Sequence, residues 1–320
     1  MLILACNGPT IFQDKINGIC FTAPPQAIGD SSFVAIKNTG ANAIALIPYA
    51  FVNRSNQLIF DHPNQWWGER SGGMDSCIQM AQSLGLRIMI KPHLWIPRQF
   101  TGQFTLSTEK EWTAFEEQYL AYLSTYALMA EKYQVELLCI GTELESFSQL
   151  RPAFWLRLIE RIRELYSGSI TYAANWDEMM DFPYWPYLDA IGIDAYFPLA
   201  KGANPSIEEI DAAWEPHFKQ MEKLSGKFNK PIIFAEYGYR SVDFATEQPW
   251  LSDTREGVNL DIQTKAFQAL FDRFYPEPWF AGGFIWKWFH PINSGGEDNN
   301  RFTPQNKPAL DVIRKQFENN

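Results

Sequence analysis

Short apolar runs rich in β-branched residues alternate with amphipathic stretches of helical period along this chain, and the alternation repeats eight times. This pattern is typical of parallel strands that are joined by crossover helices. The predicted strands are 17–21, 43–52, 86–95, 135–144, 169–176, 188–197, 231–239 and 281–289. The clearest predicted helices are 110–133, 152–166, 207–224, 260–275 and 308–317. Eight strand–helix pairs without a linker predict the α/β class and a single (β/α)8 (TIM) barrel over residues 15–320.

A doubly wound parallel sheet is the alternative fold for such an alternation. No GxGxxG follows the first predicted strand and no Walker sequence occurs, so nucleotide binding has little support. The chain has 320 residues and a formal net charge of -10, without a run of Lys or Arg that would attract a phosphate backbone. These features favour the barrel and exclude nucleic acid as an expected partner.

The connections between the predicted elements differ in length on the two sides of the strands. Helices return to the next strand through short turns that contain glycine, at Gly40, Gly85 and Gly168. The segments that follow strands are longer and rich in polar and aromatic residues, as in 53–73, 96–109, 240–259 and 290–306. In a (β/α)8 barrel these segments form the C-terminal face, where active sites lie.

The first residues of the chain are interpreted as a leader remnant or a disordered start, over 1–14. The apolar residues 2–5 before Cys6 resemble the end of a bacterial lipoprotein signal, in which the cysteine is acylated. This reading predicts a lipid anchor at Cys6 and an exported or cell-surface protein. If Met1 is the native start, the expected location is cytoplasmic.

Two glutamates occur where predicted strands meet the C-terminal face. Glu143 follows the fourth apolar run and Glu236 ends the seventh. Two carboxyl groups across one barrel opening are the arrangement that glycosidases use, with one protonating the leaving oxygen and the other attacking or activating water. Glu145 shares strand parity with Glu143 and is a weaker candidate. Glu136, at the opposite end of its strand, is interpreted as structural.

Several strand ends together resemble glycoside hydrolase family 113. The segments that carry the resemblance are 91–95 (KPHLW), 141–145 (GTELE), 172–177 (YAANWD), 193–197 (IDAYF), 234–239 (FAEYGY) and 284–288 (FIWKW). The family belongs to a clan of (β/α)8 retaining glycosidases, and its characterised members are mainly β-1,4-mannanases. The resemblance implies Glu143 as the acid/base and Glu236 as the nucleophile.

The resemblance also implies that Tyr196 hydrogen-bonds the nucleophile and that Trp286 forms the floor beneath the reacting sugar. One position departs from the clan, which usually has Asn before the acid/base, whereas this chain has Thr142. The threonine hydroxyl is shorter than an asparagine amide, so the usual contact with the sugar 2-hydroxyl is in question.

Other polar and aromatic residues at strand ends are candidate sugar contacts. His93 and Trp95 share parity with Lys91 on the third strand. The predicted substrate-binding residues are His93, Trp95, Asn175, Trp176, Asp194, Trp286 and Trp288. No second His or Cys lies at metal-ligand spacing, so neither a metal nor a cofactor is expected.

The sequence therefore predicts a retaining glycosidase that cleaves β-1,4-mannosidic bonds in mannan or manno-oligosaccharides. One alternative keeps the scaffold and changes the substrate to a β-glucan, for which the Thr142 departure leaves room. Another is a non-catalytic carbohydrate-binding barrel, in which the two glutamates are incidental.

Overall fold

The computed structural model describes residue 12, residues 14–252 and residues 257–319. The strands are β1 Ile16–Phe21, β2 Ala43–Leu46, β3 Tyr49–Val52, β4 Leu58–Ile59, β5 Arg87–Ile90, β6 His93–Trp95, β7 Leu137–Thr142, β8 Ser169–Asn175, β9 Ile191–Asp194, β10 Ile232–Tyr237 and β11 Phe280–Trp288. The helices are α1 Ser31–Lys37, α2 Ser71–Ser83, α3 Glu109–Lys132, α4 Glu145–Leu150, α5 Pro152–Leu165, α6 Ile207–Phe228, α7 Leu260–Phe274 and α8 Ala309–Glu318.

Eight of the strands close into a parallel barrel in the order β1-β11-β10-β9-β8-β7-β5-β2. Both faces of these strands are buried, one in the barrel interior and the other under the helices. Parallel strands covered on both faces are expected as continuous apolar runs rather than alternating ones, which is how the sequence reads. The predicted (β/α)8 barrel is confirmed.

Small side chains fill the barrel interior, among them Ala43, Ala45, Ala173 and Ala235. Large aromatic side chains pack between the strands and the surrounding helices, where Trp155, Trp185 and Trp214 are fully buried. Much of the aromatic content is therefore ordinary packing between the two layers.

The N-terminal boundary of the packed structure differs from the predicted one at residue 15. Phe12 is buried with Ile16 and Phe284 in the interior cluster, so the barrel core includes a residue that was assigned to the start segment. Cys6 lies outside the described residues, and its lipid anchor and the resulting location stay predictions.

Local sequence signals explain where several helices begin. Thr108 and Glu111 form a capping box at the start of α3, and Ser206 and Glu209 form another at the start of α6. Pro152 occupies the first turn of α5, where its missing N–H has no helical partner to lose. Within the described residues, none of the helices combines the length and apolarity needed to cross a membrane.

The second and third predicted strands, 43–52 and 86–95, are each divided in two, so these two predictions were wrong in extent. Pro48 and Pro92 lie at the breaks, and proline cannot donate a ladder hydrogen bond. The outer halves, β3 and β6, pair with each other and with β4 in a small separate sheet in the order β4-β3-β6. This sheet extends the barrel at its C-terminal end and carries His93 and Trp95.

Candidate active site

Glu236 lies near the end of β10, where the pairing with β9 shifts in register between Phe234 and Glu236. Its carboxyl group is buried and contacts three side chains. The Tyr196 hydroxyl donates to Oε2 at 2.8 Å, and the Lys91 ammonium donates to Oε1. A cation on one oxygen and a hydroxyl donor on the other satisfy both oxygens and hold the carboxyl group in place.

Lys91 is completely buried between two carboxylates. Its Nζ lies 3.2 Å from each oxygen of Asp194 and also binds Glu236. Burial alone would lower the pKa of Lys91, but the charges of Asp194 and Glu236 outweigh it and raise the pKa. Lys91 therefore remains a cation, as a buried charge with paired counterions can.

Glu143 follows the last residue of β7 in a left-handed backbone conformation, with φ of 50°. Its backbone N–H donates to the Ala173 oxygen at 2.8 Å, which ties the end of β7 to β8. Burial, followed by the negative charge of Glu236, raises the pKa of Glu143 to about 8. The carboxyl group is therefore protonated at neutral pH.

His93 contacts the same carboxylate from β6. Burial, then the charges of Lys91 and Lys287, hold the pKa of His93 well below its usual range, so the imidazole is neutral. Its Nε2 lies 3.4 Å from Oε1 of Glu236, but the contact is neither a hydrogen bond nor an ion pair. Nε2 has no hydrogen-bond partner among the described residues, although the atom is buried.

Aromatic rings at strand ends flank these polar groups. The Trp286 ring is parallel to that of His93, with centroids 6.2 Å apart and an interplanar angle of 4°. Trp95 has 56% of its surface exposed, so its ring is accessible. The Trp176 ring stacks on Trp250 at 5.7 Å. Flat rings of this kind can pack against the apolar faces of sugars.

Asn175 and Asp194 lie opposite each other at the ends of β8 and β9. The side-chain oxygen of Asn175 accepts from the Trp176 N–H at 2.9 Å, so this residue is partly engaged in its own turn. Both oxygens of Asp194 contact Lys91, which favours a role in holding that cation over a direct sugar contact. The sugar contacts at Asn175, Trp176 and Asp194 stay predictions.

Two other residues lie elsewhere than the sequence pattern suggested. Trp288 is buried, with 4% of its surface exposed, in the outer core under the helices, and this placement contradicts a sugar contact. Glu145 begins α4, because β7 ends at Thr142. Strand parity therefore does not relate Glu145 to Glu143.

Sequence reasoning missed a role for Lys91, Tyr172 and Glu178. A lysine inside the apolar run 86–95 is an available signal, because a charge on a buried strand needs a partner. The Tyr172 hydroxyl donates to the buried Glu178 carboxylate at 2.7 Å and accepts from the Leu144 N–H at 2.5 Å. No local pattern relates these three positions.

The mouth of the barrel thus brings together a protonated carboxyl group and a second carboxyl group held by a cation and a hydroxyl. One carboxyl group of such a pair can protonate a leaving oxygen, and the other can attack the adjacent carbon or activate a water molecule. Among the described residues no group of three or more side chains could hold a metal ion. The fold and the site define the class of protein as a glycoside hydrolase barrel.

Comparison with known families agrees with this class. The model of glycoside hydrolase family 113 matches residues 25–307, and the chain belongs to that family. Comparison with curated protein sequences finds no significant match.

Solved structures share the fold over the whole chain. A family 113 β-mannanase from Alicyclobacillus acidocaldarius in complex with ManMIm is 21% identical, covers 97% of this chain and 99% of its own, and has a TM-score of 0.84. A second solved family 113 β-1,4-mannanase is 21% identical, with 96% of this chain and 100% of its own covered and a TM-score of 0.84. A β-glucuronidase from Ruminococcus gnavus is 13% identical, with a TM-score of 0.65 over 95% of this chain and 50% of its own.

Proposed function

We propose that the chain is a retaining β-mannanase that cleaves β-1,4-mannosidic bonds in mannan or manno-oligosaccharides. The observation that carries the proposal is the unequal environment of the two glutamates. Glu143 is protonated up to about pH 8, whereas Glu236 contacts the ammonium of Lys91 and the hydroxyl of Tyr196. The protonated carboxyl group is the acid, and the carboxyl group held by a cation and a hydroxyl is the nucleophile. Membership of family 113 and the fold shared with two solved β-mannanases support the sugar.

The proposed reaction is a double displacement. A carboxylate oxygen of Glu236 attacks the anomeric carbon while the glycosidic C–O bond breaks, and the Glu143 proton passes to the leaving oxygen. Glu143, now a carboxylate, then takes a proton from water as the water oxygen attacks the same carbon and releases Glu236. In retaining enzymes the two carboxyl groups are roughly 5–5.5 Å apart, so that the nucleophile attacks the anomeric carbon directly, without an intervening water.

The neutral side chains around the pair would bind the sugar. Nε2 of His93 is buried beside Glu236 without a hydrogen-bond partner among the described residues, and the Trp286 ring parallel to His93 can lie beneath the reacting unit. Thr142 is buried, and its hydroxyl is 4.0 Å from the Cys139 sulfur. This threonine replaces the amide that the clan usually offers, so recognition of the 2-hydroxyl would depend on other groups.

Release of reducing sugar from mannan, glucomannan, cellulose and xylan tests the substrate. We expect release from mannan and manno-oligosaccharides, and none from any substrate with Glu236→Gln, because the amide cannot form the glycosyl ester. Release from cellulose with mannan untouched would assign a β-glucanase instead. Binding without release from any of the four would indicate a carbohydrate-binding barrel.

A second variant tests the acid/base assignment. Glu143→Ala should lose activity on mannan but keep part of its activity on aryl β-mannosides with good leaving groups, which need little protonation. Azide should then raise the rate, because it attacks the glycosyl-enzyme without a general base. Near-normal mannan hydrolysis by Glu143→Ala would overturn the assignment.

A further inference from the structure

Glu178 is a buried carboxyl group that the proposed reaction does not use. It lies in the turn after β8 with 1% of its surface exposed, and within the described part of the chain it makes no salt bridge. Its Oε1 accepts from the Tyr172 hydroxyl at 2.7 Å and its Oε2 from the Asn175 N–H at 3.2 Å. A carboxyl group removed from water without a cation is costly, so this placement needs an explanation.

The Tyr172 hydroxyl connects Glu178 to the end of β7. It accepts a hydrogen bond from the Leu144 N–H at 2.5 Å, and Leu144 directly follows Glu143. The preceding amide, that of Glu143, donates to the Ala173 oxygen at 2.8 Å. The peptide groups on both sides of the Glu143 Cα atom are therefore anchored to β8.

These two backbone hydrogen bonds flank a residue with an unfavourable backbone conformation. Glu143 has a φ of 50°, a left-handed conformation that costs an L-amino acid other than glycine about 1 kcal/mol or more. The surrounding structure must supply contacts that hold such a conformation. The Leu144 N–H on the Tyr172 hydroxyl is one of them, and the direction of the Glu143 side chain depends on it.

The single proton of the Tyr172 hydroxyl explains why Glu178 is part of the arrangement. The hydroxyl can offer a lone pair to Leu144 only if its proton points elsewhere, and Glu178 accepts that proton. The Tyr172 ring is stacked on Phe182 at 4.0 Å and 9°, so the oxygen is fixed in place. Burial raises the pKa of Glu178 to about 8, so its carboxyl group is neutral at pH 7 and is stable there without a cation.

We propose that Glu178 and Tyr172 are positioning residues for the acid/base Glu143, which they hold through the Leu144 amide at the angle needed to protonate the leaving oxygen. This inference rests on the proposed function, because it assigns Glu143 the acid/base role. A group that acts only on folding would affect all substrates alike. A group that positions the acid affects substrates according to how much protonation their leaving groups need.

The test is a series of aryl β-mannosides from dinitrophenyl, an excellent leaving group, to unsubstituted phenyl, a poor one. In Tyr172→Phe we expect kcat/KM to fall roughly tenfold or more for the poor leaving group and to stay within about twofold for dinitrophenyl. The tenfold loss is part of the total rate enhancement that general acid catalysis contributes. Glu178→Leu should show the same trend, because its apolar side chain cannot accept the proton of the Tyr172 hydroxyl.

Tyr119→Phe is the matched control. The Tyr119 hydroxyl is equally buried and donates to the Ile140 oxygen at 3.0 Å, on the same strand β7 but away from Glu143. Its loss should leave the dependence on the leaving group unchanged. Equal losses for all leaving groups in Tyr172→Phe and Glu178→Leu, or a trend matched by Tyr119→Phe, would overturn the inference.

The outcome separates this inference from the proposed function. If the wild-type protein cleaves aryl glucosides instead of mannosides, the sugar was wrong, and the same series with glucosides still tests the positioning. If Tyr172→Phe does not fold, Glu178→Leu alone decides, because it keeps the tyrosine ring in the core.

Discussion

Lys91 shows how much of the site depends on one residue. It is buried and contacts Asp194, at the end of β9, and Glu236, in β10. Breaking a buried ion pair from one side leaves an uncompensated charge, which is strongly unfavourable. Without Lys91, the side chains of Asp194 and Glu236 lose the cation that they share, and the nucleophile loses a contact that orients it.

We therefore predict that Lys91→Met lowers kcat/KM by at least about 100-fold at pH 6, because breaking a buried ion pair costs about 3–5 kcal/mol and each 1.4 kcal/mol is roughly a factor of ten. The basic limb of the pH–rate profile should move to higher pH, because Lys91 lowers the pKa of Glu143 in the native site. Initial rates on an aryl mannoside from about pH 4 to pH 10 measure this profile.

Lys91→Arg is the control for charge, because it keeps the cation in a larger side chain. It should retain the wild-type limbs even if its rate falls through crowding. Wild-type limbs in Lys91→Met, with its folding verified by thermal unfolding, would show that Lys91 has no electrostatic role in the site.

The positions of the two glutamates at strand ends could be predicted from the sequence, whereas the contacts between strands across the barrel could not. Glu143 and Glu236 follow apolar runs, and the barrel pattern places the ends of those runs at one opening. The ion pair between Lys91 and Asp194 joins β5 to β9, strands that are not neighbours in the barrel. Period-2 alternation gives the face on which a side chain lies, but not which distant side chain it meets.

The elements next to the site are held by a helix from outside the barrel. The single proton of the Tyr122 hydroxyl, on α3, is shared between the Pro48 oxygen at 2.9 Å and the His93 oxygen at 3.1 Å. Those carbonyls lie where β2 and β5 give way to β3 and β6. One hydroxyl thus bridges the two chain breaks that the prolines create.

Tyr122→Phe should lower the free energy of unfolding by about 1–3 kcal/mol, because two buried carbonyl groups lose their donor. Urea denaturation measures this loss. Tyr133→Phe, at the C-terminal end of the same helix, removes an exposed hydroxyl that accepts from Gln79, and its effect should stay within about 0.5 kcal/mol. Equal effects of the two substitutions would argue against the bridging role.

Hydrophobic periodicity did not predict the breaks between β2 and β3 and between β5 and β6. The helices α3, α5, α6, α7 and α8 were predicted with ends close to those observed, because caps and apolar spacing act locally. The runs 43–52 and 86–95 are apolar throughout, and each was assigned to one strand. Pro48 and Pro92 are the signals that divide them, since a proline inside a central strand argues against that assignment.

At the scale of the whole molecule, the C-terminal face is assembled from segments far apart in the chain. Lys307, which precedes α8, donates to the Ser241 hydroxyl at 2.9 Å and to the Arg301 oxygen at 2.7 Å. It thereby joins the loops that follow β10 and β11. Burial, and then the charge of Arg240, lower the pKa of Lys307 to about 7.

This low pKa makes stability depend on pH with a definite sign. In the unfolded chain the lysine keeps its proton up to about pH 10.5, whereas in the folded protein it loses that proton above about pH 7. Between these values the unfolded state binds more protons, so the contribution of Lys307 to stability rises with pH. Glu143 and Glu178, whose pKa values are raised to about 8, act in the opposite direction as the pH rises towards 8.

We predict that the stability of Lys307→Met relative to wild type falls as the pH rises from about 7 to 9, by at most about 1.4 kcal/mol per pH unit, the slope for one proton. The opposing contributions of Glu143 and Glu178 are present in both proteins and cancel in the difference. Urea denaturation at several pH values measures this difference. Lys315→Met removes an exposed lysine of α8 and should leave the difference from wild type independent of pH. A constant offset for Lys307→Met across this range would show that Lys307 keeps its proton in the folded protein.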